Sequence, residues 1–207
     1  MTILAIEFSS NRRSVAVARD GILLAESITE SGRVTSAPRL IAHALAQAGI
    51  PPAAIDRLAV GIGPGSYTGI RRAIATVQGW HLAWGTPVVA IQGFEVLARL
   101  VAGMDPTPAW LVADAQRGEW ATARCVDGRV QGTITLRQRT EVEAWCAAGE
   151  RVITPDAGLG GSVVLHPTAA MTAGMALDAR PVPPEGLSAV YLREAAFIKA
   201  PPSRTLC

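Results

Sequence analysis

Four glycines punctuate the run Gly61-Ile62-Gly63-Pro64-Gly65-Ser66-Tyr67-Thr68-Gly69-Ile70-Arg71-Arg72, which joins the apolar segment Leu58-Ala59-Val60 to a helical pattern reaching about Trp84. A glycine-rich turn from strand to helix lets backbone N–H groups converge at a helix N-terminus, where an anion is favoured. Arg71 and Arg72 stand in that helix's first turn, against the positive end of its dipole, which costs stability unless an anion or acidic partner is near. Two acids add to the chemistry. Glu7 closes the apolar run Ile3-Leu4-Ala5-Ile6, and Asp114 closes Trp110-Leu111-Val112-Ala113. Carboxylates at the ends of two strands, facing each other across a cleft, suit metal–phosphate chemistry. Glu7, Ser9, Gly63, Gly65, Ser66, Arg71 and Asp114 therefore form a candidate anion or nucleotide loop. The competing reading is structural: the glycines permit a tight strand–helix connection, and the two acids cap or pair locally.

Several familiar chemistries are excluded by residue type. A Walker A loop needs Gly-Lys-Ser/Thr, and the chain's one lysine is Lys199. A dinucleotide fingerprint belongs after the first strand, whereas this loop follows a later one. His43, His81 and His166 are far apart in sequence, so no paired-histidine metal site is expected. No G-x-S-x-G elbow accompanies Ser9, Ser10 or Ser66, which argues against a serine hydrolase. Cys125, Cys146 and Cys207 are scattered and odd in number, indicating neither a disulfide framework nor a zinc site. A net charge of +2 with dispersed arginines makes a weak direct reader of nucleic acid. No stretch approaches the ~18 apolar residues of a membrane span, and the first residues lack a signal-peptide pattern. The cytoplasm is the expected compartment, and 49% hydrophobic residues in such a chain suggest a partner-binding face.

The elements that must position these residues follow a repeated plan. Strands are expected at Ile3–Ile6, Ser14–Ala18 and Ile22–Ser27, the last two joined by a turn at Asp20-Gly21. A helix from about Ser36 to Ala48, a strand at Leu58, the glycine loop, the helix to Trp84 and a strand at Val88–Ile91 follow. Displaced along the chain, Ile3 falls on Trp110, Glu7 on Asp114 and Asp20-Gly21 on Asp127-Gly128. Gly158-Leu159-Gly160-Gly161 then stands where the first half has its glycine loop. The shared order points to two β-β-β-α-β-α halves, residues 1–104 and 105–207, in an α/β fold of mixed sheets flanked by helices. The second half is the shorter, and its C-terminal segment is expected to pack back on the first.

Helical geometry sets two faces on residues 69–84. Ile70, Ala73, Ile74, Val77, His81 and Trp84 point one way, toward a core in which His81 would be buried and satisfied. Arg72, Ala75, Thr76, Gly79 and Ala83 point the other way, and the small residues at every fourth position make a smooth stripe that another helix could approach closely. Glycine inside a helix costs about 1 kcal/mol relative to alanine, so Gly79 signals a steric demand. The helix over 36–48 is similar: Leu40, Ile41, Ala44, Leu45 and Ala48 lie inside, Arg39, Ala42, His43 and Ala46 outside. The two outer faces suit a four-helix contact with a like-folded partner; packing of the second helix on the first is the alternative.

Taken together, Ile3-Leu4-Ala5-Ile6-Glu7, Gly63-Pro64-Gly65-Ser66-Tyr67-Thr68-Gly69-Ile70-Arg71, Asp114-Ala115-Gln116-Arg117-Gly118-Glu119 and Val190-Tyr191-Leu192-Arg193 resemble, in order, the hallmarks of the bacterial TsaB (YeaZ) family. The resemblance implies two actin/Hsp70-like (ribonuclease H-like) halves and a part in making threonylcarbamoyladenosine in tRNAs that read A-starting codons. It implies a non-catalytic paralogue of TsaD that serves as its dimerisation partner through these same two helices. TsaE, tRNA held through the complex, and a homodimer in isolation are the further partners implied. ATP/ADP and metal would enter only through partner subunits, with no cofactor of the chain's own. The sequence departs from the family in carrying Glu7 for the usual Asp, Thr35-Ser36-Ala37-Pro38 for a His-Ser or His-Thr pair, and Tyr67 for Phe. The enzymatic alternative is an ATP-dependent phosphotransferase of the same fold using Glu7 and Asp114, although Glu7-Phe8-Ser9-Ser10 is a poor phosphate hairpin.

Overall fold

All six residues of strand β1 (Thr2–Glu7) are buried, as a central strand covered on both faces requires. The computed structural model describes residues 1–30, 36–190 and 192. Strand β1 pairs antiparallel with β2 (Arg13–Arg19) and parallel with β4 (Arg57–Gly61). β2 continues into β3 (Ile22–Thr29) through Asp20 and Gly21, whose φ values of 50° and 81° form the left-handed pair that a tight hairpin needs. β5 (Val88–Ile91) completes a five-stranded sheet in the order β3-β2-β1-β4-β5.

The second sheet repeats this plan. β6 (Ala109–Asp114) pairs antiparallel with β7 (Glu119–Val126) and parallel with β9 (Val152–Thr154), while β8 (Arg129–Gln138) and β10 (Val163–Val164) take the two edges. The order is β10-β9-β6-β7-β8, and Asp127-Gly128 turns the hairpin as Asp20-Gly21 does. Two mixed five-stranded sheets with this shared order are the duplicated ribonuclease H-like plan of the actin/Hsp70 fold.

Helices α1 (Ala37–Ala48) and α2 (Tyr67–Trp84) cover one face of the first sheet, packing Leu40, Ile41, Ala44, Ile70, Ala73 and Val77 on Leu4, Ile6, Val15 and Val17. The opposite face is lined by Ala5, Ala16, Ala18 and Ala59 and takes Ala169, Ala173 and Ala176 of α5 (Ala169–Ala176). Small residues on both sides let that helix lie close to the sheet. Helix α3 (Gly93–Met104), which follows the first sheet, packs on the second: Phe94, Leu97, Ala98 and Val101 meet Leu111, Ala121 and Ala123. Each sheet is thus covered by a helix that follows the other. Helix α4 (Arg139–Ala147) closes the far face of the second sheet with Val142 on Val112 and Trp120. After α5 the chain returns over the first half, where Val182 bridges Val88, the Val190 amide donates to the Ile62 carbonyl at 2.9 Å, and Ala189 joins the core.

Three expectations need correction. In the second half no helix separates β9 from β10: residues 155–162 run directly into β10, so Gly158-Leu159-Gly160-Gly161 opens no helix, and this missing element is where that half is shortened. Trp84 is 54% exposed rather than part of the core. His81 is half-buried and bonded by Nδ1 to the Thr86 carbonyl oxygen at 2.9 Å, closing the helix end. Thr35, Tyr191, Arg193, Lys199 and Cys207 lie outside the described residues.

Candidate functional site

The parallel register that sets Ile6 beside Val60 brings Glu7 to Gly61 at the next step. A Cβ on Gly61 would stand 1.9 Å from Glu7 Oε2, so the carboxyl occupies the space that a side chain would fill. Glu7 is fully buried. Its Oε1 accepts from the Ser9 amide at 2.8 Å, whereas Oε2 has no hydrogen-bond partner that meets ordinary geometry. Burial pushes its pKa above 4.5, outweighing the opposite pull of Ser9, Phe8 and Thr172 of α5. This acid is enclosed between sheet and helix.

The glycine loop closes onto the same place. The Ser66 amide donates to the Ser9 carbonyl at 2.6 Å, the Gly93 amide to the Gly63 carbonyl at 2.7 Å, and the Gly69 amide to Ser66 Oγ at 3.3 Å. A Cβ on Gly65 would lie 2.2 Å from the Ser9 carbonyl oxygen, and one on Gly69 would lie 2.0 Å from that of Phe8. The glycines therefore let two backbone segments touch, and amides that would face an anion bond the chain itself. Of the candidate loop residues the structure brings together Glu7, Ser9, Gly63, Gly65 and Ser66. Arg71 turns away: its Nη1 donates to the Tyr67 hydroxyl at 2.5 Å and its guanidinium lies 5.2 Å from that ring. Asp114 is spent in its own half, its Oδ1 accepting from the Gln116 amide at 2.7 Å. The Asp114 amide donates to Asp156 Oδ2 at 2.8 Å, and burial, then the Asp114 charge, work to raise the Asp156 pKa. Gln116, Arg117 and Gly118 are all left-handed and turn the β6–β7 hairpin.

On the outer side, Arg39, Ala42, His43 and Ala46 of α1 and Arg72, Ala75, Gly79 and Ala83 of α2 are exposed, with Thr76 half-buried and its hydroxyl on the Arg72 carbonyl. A Cβ on Gly79 would meet nothing within 4 Å, so α1 does not impose this glycine. His43 Nδ1 and Ser27 Oγ share a hydrogen bond of 2.8 Å. Sequence reasoning missed Leu82, 85% exposed beside Gly79 and Ala83, and placed Trp84 inside. Both add apolar surface at the end of the stripe.

Fold and site together define a duplicated ribonuclease H-like protein whose first-strand acid is enclosed and whose outer helix faces expose small residues. Residues 27–157 match the family model described as TsaD, tRNA N6-adenosine threonylcarbamoyltransferase. The chain belongs to this family, and the resemblance to its TsaB (YeaZ) members drawn from the motifs holds. The tRNA threonylcarbamoyladenosine biosynthesis protein TsaB of Bacillus subtilis (strain 168) is 31% identical over 58% of this chain and 52% of its own length. An uncharacterized protein of Mycobacterium bovis is 31% identical over 61% of this chain and 60% of its own. The chain thus spans little more than half the length of these curated relatives. Among solved structures, YeaZ from Pseudomonas aeruginosa superposes with a TM-score of 0.74 at 26% identity, covering 92% of this chain and 99% of that one.

Proposed function

We propose that this protein is a non-catalytic subunit of the bacterial machinery that forms threonylcarbamoyladenosine in tRNA, acting as the dimerisation partner and activator of a TsaD-type enzyme. The observation that carries the reading is the outer face of α2. Exposed Ala75, Gly79 and Ala83 line up there, a Cβ on Gly79 would meet nothing within 4 Å, and exposed Leu82 and Trp84 flank them. A helix surface of small residues bordered by large apolar ones suits close approach by a second helix pair. Together with Arg39, Ala42, His43 and Ala46 of α1 it forms the proposed docking face, which a second copy of the chain would use when TsaD is absent.

The enclosed acid supports a non-enzymatic role. A metal–phosphate reaction needs a carboxylate that can reach the metal, and Glu7 is buried, has its pKa raised by that burial and is backed against Gly61. ATP/ADP and metal are therefore assigned to partner subunits; TsaE is a further partner, and tRNA is met through the complex in the cytoplasm. Among the described residues no helix is long and apolar enough to cross a membrane.

The test is the mass in solution, by light scattering after size exclusion, of the chain mixed with its own organism's TsaD. A one-to-one complex that displaces any homodimer is expected, and Gly79→Leu is expected to abolish it while the monomer stays folded. No complex, or a Gly79→Leu variant that associates as the parent does, would remove this face from the reading. ATP turnover by the isolated chain, lost in Glu7→Gln, would establish the phosphotransferase instead.

A further inference from the structure

Strand β3 runs antiparallel to β2 and β2 to β1, while β1, β4 and β5 are parallel, so β3 points the same way as β4 and β5. Helix α1 leads from β3 to β4 and α2 from β4 to β5. Both helices therefore run back against these strands and start at the same edge of the sheet. Three arginines gather at that edge: Arg39 in the first turn of α1, and Arg71 and Arg72 one turn into α2. All three are exposed, and among the described residues none makes an ion pair. Arg71 has a neutral partner in the Tyr67 hydroxyl. Neither helix holds an aspartate or a glutamate anywhere along its length. The elements packed against them bring Glu30, just after β3, and Glu185, next to the Pro184 carbonyl to which Gln78 donates; neither is paired with the arginines. Toward the opposite end the same outer surface turns small and apolar, with Ala42 and Ala46 of α1 and Gly79, Leu82, Ala83 and Trp84 of α2 exposed. The face is divided into a cationic end and an apolar end.

We propose that this face is made for a partner whose matching surface carries carboxylates opposite Arg39, Arg71 and Arg72, and that it discriminates by charge against a second copy of the chain. The inference rests on the docking reading given above and adds a sign to it. Of the two partners named there, the TsaD-type enzyme is the one that brings the acids. Apposing two copies lays no carboxylate of either helix pair on an arginine. With the two-fold axis along the helices, arginine meets arginine. With the axis across them, each arginine lies on the apolar end of the other copy and loses water without gaining a carboxylate. A charge stripped of water and left unpaired is costly, whereas a carboxylate meets a guanidinium through two parallel hydrogen bonds. Like charges in juxtaposition suppress the wrong partner, and opposite ones speed the encounter and fix its register. The apolar end supplies contact to either partner, so the cationic end does the choosing.

The test is the salt dependence of two associations of the full chain, with its own organism's TsaD and with itself, followed by sedimentation equilibrium. Salt is set well below and well above about 0.1 M, where charges are screened over about 10 Å. The complex with TsaD is expected to weaken about tenfold as salt rises, while self-association is not expected to weaken. The double variant Arg39→Gln/Arg72→Gln keeps the apolar end and alters two exposed side chains. At low salt it is expected to bind TsaD about as weakly as the parent does at high salt, with its melting temperature unchanged. Arg39→Glu/Arg72→Glu is expected to bind more weakly still, and least well at low salt. A complex whose Kd ignores salt, or that the glutamine variant forms as tightly as the parent, would overturn the charge assignment and leave the docking face standing. Self-association that weakens with salt as the complex does would overturn the discrimination against a second copy. No complex with TsaD at either salt would remove the docking reading itself, and this inference with it.

Discussion

Gly61 and Glu7 are one structural unit, and their coupling is measurable. Gly61→Ala places a methyl 1.9 Å from the carboxyl and is expected to destabilise by about 1–3 kcal/mol, the ordinary cost of overpacking. In a Glu7→Ala background the same change should cost far less, and a double-mutant cycle by urea unfolding gives the coupling. Additive effects would mean that the two residues do not compete for the space. The carboxyl also carries a pH signature. Its folded pKa is raised above 4.5, so its contribution to stability is complete below pH 4.5 and is lost as pH rises through the folded value. Glu7→Gln removes that dependence. The stability difference between wild type and Glu7→Gln should therefore move in favour of the variant from pH 4.5 upward, by at most about 1.4 kcal/mol per pH unit. A constant difference would show that Glu7 titrates normally. The sequence displays Glu7 as a strand-end acid, but its burial follows from the β1–β4 register, which a single run of residues does not contain.

At the scale of the element, α2 shows what periodicity reads and where it stops. The inner face, Ile70, Ala73, Ile74 and Val77, was legible because it repeats at helical spacing, and all four are buried. The same spacing carried on to Trp84, yet the surface to be packed against ends first. Beyond Val77 the helix meets the returning chain, with Gln78 Nε2 on the Pro184 carbonyl at 2.7 Å, and then overhangs. A period has no knowledge of where the neighbouring sheet ends. The outer face was legible for the opposite reason, since Gly79 is a residue that the helix itself does not want. Because its Cβ would meet nothing, Gly79→Ala is expected to stabilise the isolated chain by about 1 kcal/mol, seen as a raised melting temperature. A fall in stability would mean that the glycine serves the monomer and would weaken the docking argument.

For the whole molecule, duplication was legible from paired features in matching order: strand-end acids and Asp-Gly turns. The exchange of α3 and α5 between the sheets was not, because spacing along the chain says nothing about which sheet a helix will reach. Helix α5 is especially quiet in sequence, since it buries alanines and Thr172 rather than a stripe of large residues. The alanine-lined face of the first sheet needs such a helix, and no other described element covers it. Conversely, Phe94, Leu97 and Val101 of α3 have their core on the second sheet. A chain cut between α3 and β6 would thus leave each half with an uncovered sheet and a helix lacking its site. Burying such surfaces contributes roughly 25 cal/mol per Å², and losing it from a small domain removes much of a marginal stability. Fragments 1–104 and 105–207 are therefore expected to show no cooperative melt separately. Mixed together they should regain one, with a midpoint that rises with concentration, as binding-coupled folding requires. A fragment 1–104 that melts cooperatively by itself would show that the first half stands without α5, and the two outer helices could then be presented to a partner by that half alone.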